Sequence, residues 1–279
     1  MSKTSTLFLL TLLILIRPIH AEDEFAPEFF AFQNGVHFKS PEERTQILKQ
    51  LGYSGIGSAN LNDLENRLKI YADNKLKIFS IYTGVQITDA GYSIPGNLST
   101  AIQQLKGSRT VVELFVGGKG TDEQAVAAVR EVASMADKQD LQVVLYPHTG
   151  CHVDELSDAV RIARKVDRKN VGVMFNLCHF LRVEPDKDLK VELEQAKPYL
   201  WRVSICGAEK GTQSWNTLIQ PLDQGNFPQA KLLEMLRDLE YKGAIGLQCY
   251  AIKGDSRSNL QKSIGRWKQL LEEVNKTAK

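Results

Sequence analysis

Along this chain the hydrophobic positions switch repeatedly between two spacings. Short apolar runs rich in β-branched and aromatic residues alternate with longer stretches whose apolar residues recur every three or four positions. The first kind predicts strands over 29–36, 55–58, 76–86, 110–117, 142–148, 171–178, 201–206 and 244–249. The second predicts helices over 41–51, 61–74, 98–105, 122–137, 153–166, 189–200, 229–240 and 259–274. Local chemistry supports the boundaries. Ser40 followed by Pro41 reads as a helix start, because the hydroxyl caps a free N–H and proline needs none at the first helical position. Thr121 reads as a second cap, and Leu64, Leu68 and Tyr71 share one helical face.

Strictly alternating strands and helices require a parallel sheet with the helices outside it. Eight such units in about 250 residues predict a closed (β/α)8 barrel, a single α/β domain over 22–279. A doubly wound open sheet shares the alternation. Its commonest nucleotide-binding version needs Gly-x-Gly-x-x-Gly after the first strand, and no such turn follows here. No composition shift or low-complexity linker divides the chain. The longest loop spans roughly 207–227, a length often kept for function.

The first 21 residues stand outside this pattern. Lys3, the apolar run from Leu7 to Ile16 broken only by Thr11, and Ile19-His20-Ala21 before Glu22 predict a secretory signal peptide. The run is short for a membrane span, although Arg17-Pro18 leaves an uncleaved anchor open. The expected location is secreted or periplasmic, with no stable membrane association after cleavage. Cleavage removes Lys3 and Arg17 and no acid, so 35 basic residues become 33 against 33 acidic ones and the formal charge is zero. That balance argues against a general nucleic-acid binder, which needs a basic face. Cys151, Cys178, Cys206 and Cys249 fit no zinc-ribbon spacing and are too few for a disulfide scaffold. A Cys178–Cys206 bridge and buried free thiols are both compatible with the pattern.

Barrel chemistry sits at the C-terminal strand ends. His148 and His179 fall at neighbouring ends, and imidazole is the natural proton shuttle near neutral pH. Glu113 lies inside the apolar run from Val111 to Phe115, where a carboxylate is costly unless paired or functional. It reads equally as a base with a raised pKa and as the partner of a cation such as Arg202. These three are the candidate catalytic residues. Asn176, Gln248, Tyr146, Ser204 and Tyr250 offer amides and hydroxyls that both donate and accept, which suits a hydroxyl-rich ligand. Trp215, in the long loop, reads either as a stacking platform or as a loop anchor. Lys253 reads as a partner for a ligand carbonyl or carboxylate, or as a solvated loop lysine. His152 reads as a loop or helix-entry residue.

Tyr-Pro-His at 146–148, Asn-Leu-Cys-His at 176–179, Ser-Ile-Cys-Gly-Ala at 204–208 and Gly-Leu-Gln at 246–248 resemble xylose isomerase-like barrels. That superfamily holds sugar isomerases, keto-sugar epimerases and endonuclease IV-type repair enzymes. Its members usually bind a divalent metal through Glu, Asp, His and Glu at strands five to eight. The matching positions here are Tyr146, Asn176, Ser204 and Gln248, and the aspartate of the strand-seven His-x-x-Asp pattern is Gly207. Every anionic or imidazole ligand is thus replaced, while His179 of the Asp-x-x-His pattern remains. Neutral oxygens alone bind a divalent cation weakly. No cofactor is expected, and Mn or Zn only through a non-standard site built from His148, His179 and Glu113.

The resemblance implies an isomerase or epimerase acting on a small carbohydrate by proton transfer next to a carbonyl, and the signal peptide implies that it is exported. A hydratase or lyase on an oxidised sugar, and a non-catalytic sugar-binding barrel, are the alternatives. Export, neutral charge and the missing ligands set the DNA-repair branch aside. Nothing in the pattern sets an oligomeric state.

Overall fold

The computed structural model describes residues 24–277. The signal peptide expected at 1–21 lies outside them. Ten strands form one sheet: β1 Phe29–Phe32, β2 Gly55–Gly57, β3 Lys77–Ile78, β4 Ser80–Thr88, β5 Gly91–Ser93, β6 Val111–Gly118, β7 Val143–Leu145, β8 Val171–Asn176, β9 Leu200–Ile205 and β10 Ile245–Leu247. They lie in the order β3-β2-β1-β10-β9-β8-β7-β6-β4-β5. β3 and β4 are one strand interrupted only at Phe79. β3 pairs with β2, and β4 pairs with β6. Across the interruption Phe79 N donates to Ile56 O at 2.7 Å and Ala59 N donates to Ser80 O at 3.0 Å. The two ends of the order therefore meet, and eight parallel strands close into the expected barrel. β5 is extra, an antiparallel hairpin partner of β4 that the pattern did not predict.

Helices fill the crossovers: α1 Pro41–Leu51, α2 Leu64–Asp73, α3 Leu98–Gln104, α4 Asp122–Asp137, α5 Leu156–Val166, α6 Leu177–Val183, α7 Leu189–Ala196, α8 Trp215–Leu218, α9 Gln229–Asp238 and α10 Ser256–Lys276. Their ends follow from local chemistry. The Ser40 hydroxyl accepts from Glu43 N at 3.2 Å, and Gly52 closes α1 with φ +91°. α4 starts on a capping box: the Thr121 hydroxyl accepts from Gln124 N, and Gln124 Oε1 accepts from Thr121 N at 2.9 Å. Thr121→Ala should cost about 1 kcal/mol, seen as a lower urea midpoint at unchanged slope.

The core has two parts. Phe30, Phe32 and Phe79 lie buried, with Phe30 stacked on both of the others. Around the outside, helices pack their apolar faces on the strands, as where the Phe29 ring stacks on Trp267 of α10 at 4.2 Å. Among the described residues no helix is long and apolar enough to cross a membrane.

Several predicted strands stop early. β1 ends at Phe32, and a 3-10 turn follows over Gln33–Gly35. A Cβ on Gly35 would stand 2.0 Å from Cys249 O, so only glycine lets this turn press on the last strand's exit. β7 ends at Leu145, three residues before His148. β8 ends at Asn176, and α6 starts at once, so His179 projects from a helix and not from a strand.

The cysteines are all free, with Cys178, Cys206 and Cys249 buried. Cys206 donates to Leu218 O at 3.2 Å, and the neighbouring Cys178 thiol together with burial holds the Cys206 thiol well above its ordinary range.

Candidate active site

The C-terminal strand ends enclose a cavity of about 980 Å³. The exit loop of β7 and the short helix after β8 bring two imidazoles together there. The rings of His148 and His179 are 4.4 Å apart between centroids. His179 is buried, and His148 is partly exposed to the cavity.

One residue sets the state of both rings. Thr149 N donates to His179 Nδ1 at 3.1 Å, and the Thr149 hydroxyl lies 2.9 Å from the same nitrogen. An N–H can only donate, so His179 Nδ1 is bare and its proton sits on Nε2. Thr149 O lies 3.0 Å from His148 Nδ1. A carbonyl can only accept, so His148 carries its proton on Nδ1 and, when neutral, keeps a lone pair on Nε2. The two rings are thus chemically opposite: His148 offers a proton acceptor and His179 a proton donor. Burial, and then the neighbouring His148, pull the His179 pKa down to about 3. Its imidazole is neutral at any working pH above that. Nitrogen NMR of the labelled protein should show His179 as the Nε2–H tautomer, unchanged from pH 5 to 9.

Trp215 opens α8 in the long loop and closes one side of the mouth. Its ring meets His179 edge-on at 5.3 Å, and the Arg182 guanidinium covers it at 5.3 Å. His179 and Arg182 are three residues apart on α6 and so share a face. Gly207 and Gln220 exchange two backbone bonds, and Leu218 and Leu222 are buried, so the loop is docked. Trp215 is both an anchor and, at 38% exposed, a wall of the cavity.

The remaining predicted residues fall at different depths. Tyr146, Gln248, Tyr250 and Lys253 line the cavity with the two histidines and Trp215. Gln248 is fixed at both ends: its Oε1 accepts from Tyr250 N at 3.0 Å, and its Nε2 points at the Tyr146 hydroxyl at 3.4 Å. Asn176 and Ser204 are buried and do not line the cavity. Asn176 Oδ1 accepts from the Cys178 thiol at 3.2 Å, while Asn176 Nδ2 and the Ser204 hydroxyl have no partner. Glu113 does not line the cavity either. It is fully buried, and its Oε2 accepts from the Ser58 hydroxyl. No ion pair joins it to Arg202 among the described residues: Arg202 Nη1 donates to Trp201 O at 2.8 Å and acts on Glu113 only through space. Burial raises the Glu113 pKa to about 7, against the opposing pull of Ser58 and Ser80. His152 serves structure, with Nε2 3.0 Å from Asp122 Oδ1.

Thr149 and Ser58 are the important residues that the sequence reading left out of the site. Thr149 acts mainly through its backbone, which its side-chain identity does not advertise. Ser58 carried a signal, since Gly57-Ser58 closes an apolar strand at the barrel mouth.

Fold and cavity together define a parallel (β/α)8 barrel with two neighbouring histidines at its C-terminal mouth. The family model of the xylose isomerase-like TIM barrel matches residues 100–270, and the chain belongs to that family. No curated protein matches the chain. Among solved structures, 3-keto-D-glucoside 4-epimerase YcjR from E. coli is similar at TM-score 0.70 and 15% identity, over 89% of this chain and 100% of that one. D-psicose 3-epimerase from Clostridium cellulolyticum H10, solved with D-tagatose, gives 0.64 and 16%, over 89% and 96%. The probable 3-DHS dehydratase AsbF from Bacillus anthracis gives 0.69 and 14%, over 86% and 98%. At such identity these likenesses show the fold.

The metal implied by the resemblance does not fit the residues present. Burial keeps the Tyr146 phenol neutral, well above its ordinary pKa. The Asn176 and Gln248 carbonyl oxygens are already accepting hydrogen bonds, and Ser204 is sealed off. The non-standard alternative fits no better. His179 has one nitrogen bonded to Thr149 and the other protonated, and Glu113 is turned away toward Ser58. Among the described residues no group of three or more His, Cys, Asp or Glu side chains converges in a metal-binding arrangement.

Proposed function

We propose that this chain is an exported enzyme that abstracts a proton next to the carbonyl of a small keto-sugar, leading to isomerisation or epimerisation. The observation that carries the reading is the pair of opposite histidine tautomers facing one cavity. His148 Nε2 has the lone pair that takes the C–H proton. His179 Nε2–H supplies the donor for the developing enolate oxygen. A neutral imidazole held in place by Thr149 suits that task, because its hydrogen bond is already oriented when the charge appears. Tyr146, Gln248 and Lys253 supply donors for hydroxyls, and the apolar face of Trp215 suits the C–H face of a sugar ring. The family's sugar epimerases support the substrate class. A signal peptide at 1–21 suits sugars without phosphate, which occur outside the cell.

The test is incubation with D-tagatose, D-allulose or a 3-keto-D-glucoside in D2O, with chelator present, followed by mass spectrometry and NMR. The expected result is deuterium at the carbon beside the carbonyl, insensitive to the chelator. Saturable binding without exchange would instead make the chain a sugar-binding barrel. Loss of water from the sugar would make it a dehydratase.

A further inference from the structure

We propose that Ser58, backed by Glu113, is a second proton-handling group that serves the face of the substrate opposite His148. The inference rests on the enolisation reading above and names what completes it. Ser58 ends β2. Passing around the ring through the β3–β4 strand and β6, the strand that leads into His148, β7, is the third from β2, and the one that leads into His179, β8, is the fourth. In a ring of eight strands that is the far side. Ser58 lines the same cavity as the histidine pair, so a ligand held between the two walls meets His148 and His179 on one face and Ser58 on the other.

The arrangement around Ser58 is built. Its hydroxyl donates to Glu113 Oε2, and its backbone N donates to Ser80 Oγ at 2.8 Å. Its backbone is left-handed, with φ +45°, in a residue that is not glycine, a conformation that concentrates at functional sites. Gly57 lets the turn lie close: a Cβ there would stand 2.1 Å from the Phe30 ring and 2.8 Å from Ser80 Oγ. Glu113 keeps Oε1 buried and without a partner. A purely structural carboxylate would satisfy that oxygen. The oxygen that faces Ser58 is Oε2, and a pKa near 7 suits proton exchange there.

The step balances. His148 Nε2 takes the proton from carbon, and the electron pair of the broken C–H bond passes into an enolate held by His179 Nε2–H. With Glu113 in its acid form the bond between them runs the other way, Glu113 Oε2–H donating to Ser58 Oγ, so the Ser58 proton is free to turn into the cavity; the hydroxyl delivers that proton to the other face of the carbon while taking the one on Glu113 Oε2. The product has inverted configuration. The enzyme is left with a His148 imidazolium and a Glu113 carboxylate, which is the starting state for the reverse direction, and solvent restores the forward one.

The experiment compares wild type, Ser58→Gly, Glu113→Gln and His148→Gln on the same three sugars in D2O, following deuterium entry and epimer formation separately. Glycine suits the left-handed backbone, so S58G removes the hydroxyl with least risk to folding. In S58G and E113Q, deuterium entry into recovered substrate should stay within about threefold of wild type, while epimer formation falls about a hundredfold. H148Q should lose both. Carbon NMR of Glu113 adds a readout that needs no turnover: its titration midpoint should move up in S58G. Epimer formation at the wild-type rate in S58G, or exchange and epimer lost in equal measure in S58G and E113Q, would overturn the relay while leaving enolisation standing. No exchange by the wild type from any of the three sugars would overturn the enolisation reading and the relay with it.

Discussion

His148→Gln should abolish almost all deuterium entry from solvent into the substrate carbon, lowering the rate by about 10²–10⁴-fold. The size follows from what the ring supplies. Among the residues lining the cavity, His148 alone joins a bare imidazole nitrogen to a place beside an oriented donor, since His179 has its lone pair on the nitrogen turned toward Thr149. Gln keeps a polar side chain of similar reach but accepts no proton near neutral pH. Sugar affinity, measured by calorimetry or tryptophan fluorescence of Trp215, should change by less than about tenfold, because the binding groups on Gln248, Tyr146 and Lys253 are untouched. The Thr149→Val counterpart should do much less. It removes one hydroxyl but leaves the backbone N–H and carbonyl that hold both tautomers. An H148Q protein that exchanges at the wild-type rate would transfer the base role elsewhere and leave the histidine pair a binding feature.

The architecture could be read from the alternation of periods, because each strand of a barrel is covered on both sides and each helix on one. Strand ends were harder. The run 177–181, LCHFL, is buried throughout, and a short unbroken apolar run carries no period that separates strand from helix. That ambiguity hid the start of α6, and with it the helical face that His179 and Arg182 share against Trp215. Depth was harder still. Asn176 and Ser204 are register partners across β8 and β9, both buried, and neither lines the cavity. Inward or outward can be inferred from alternation, but height along the barrel axis needs the register of all eight strands. Glu113 shows the same limit: its burial was expected from Val111-Val112-Glu113-Leu114-Phe115, but its partner, Ser58, is 55 residues away.

Glu113→Gln should make the protein relatively more stable as pH rises, with the gap between variant and wild type moving by about 3 kcal/mol between pH 4 and pH 8. The Glu113 pKa is raised from 4.5 to about 7, chiefly by burial. Below 4.5 the carboxyl holds its proton in folded and unfolded chains alike, and pH has no effect through it. Between 4.5 and about 7 the unfolded chain gives up the proton while the folded one keeps it, so wild-type stability falls by about 1.4 kcal/mol per pH unit. Above about 7 both states are ionised and the loss levels off. The amide of the variant cannot ionise and follows none of this. Any constant cost of the substitution shifts both ends of the comparison equally, so the pH-dependent difference isolates the carboxyl. Urea midpoints of the two proteins at pH 4, 6 and 8 would measure it. A gap that stays constant would mean that Glu113 titrates in the folded chain as it does in the unfolded one, near 4.5, with Ser58, Ser80 and the field of Arg202 cancelling the effect of burial, so that at neutral pH it is ionised and unable to donate through Ser58. A gap that grows as expected would mean that the barrel carries a buried acid which destabilises it at neutral pH. That cost is what a carboxyl held for its proton would carry, and Glu113 lies against Ser58, which lines the cavity with a left-handed backbone.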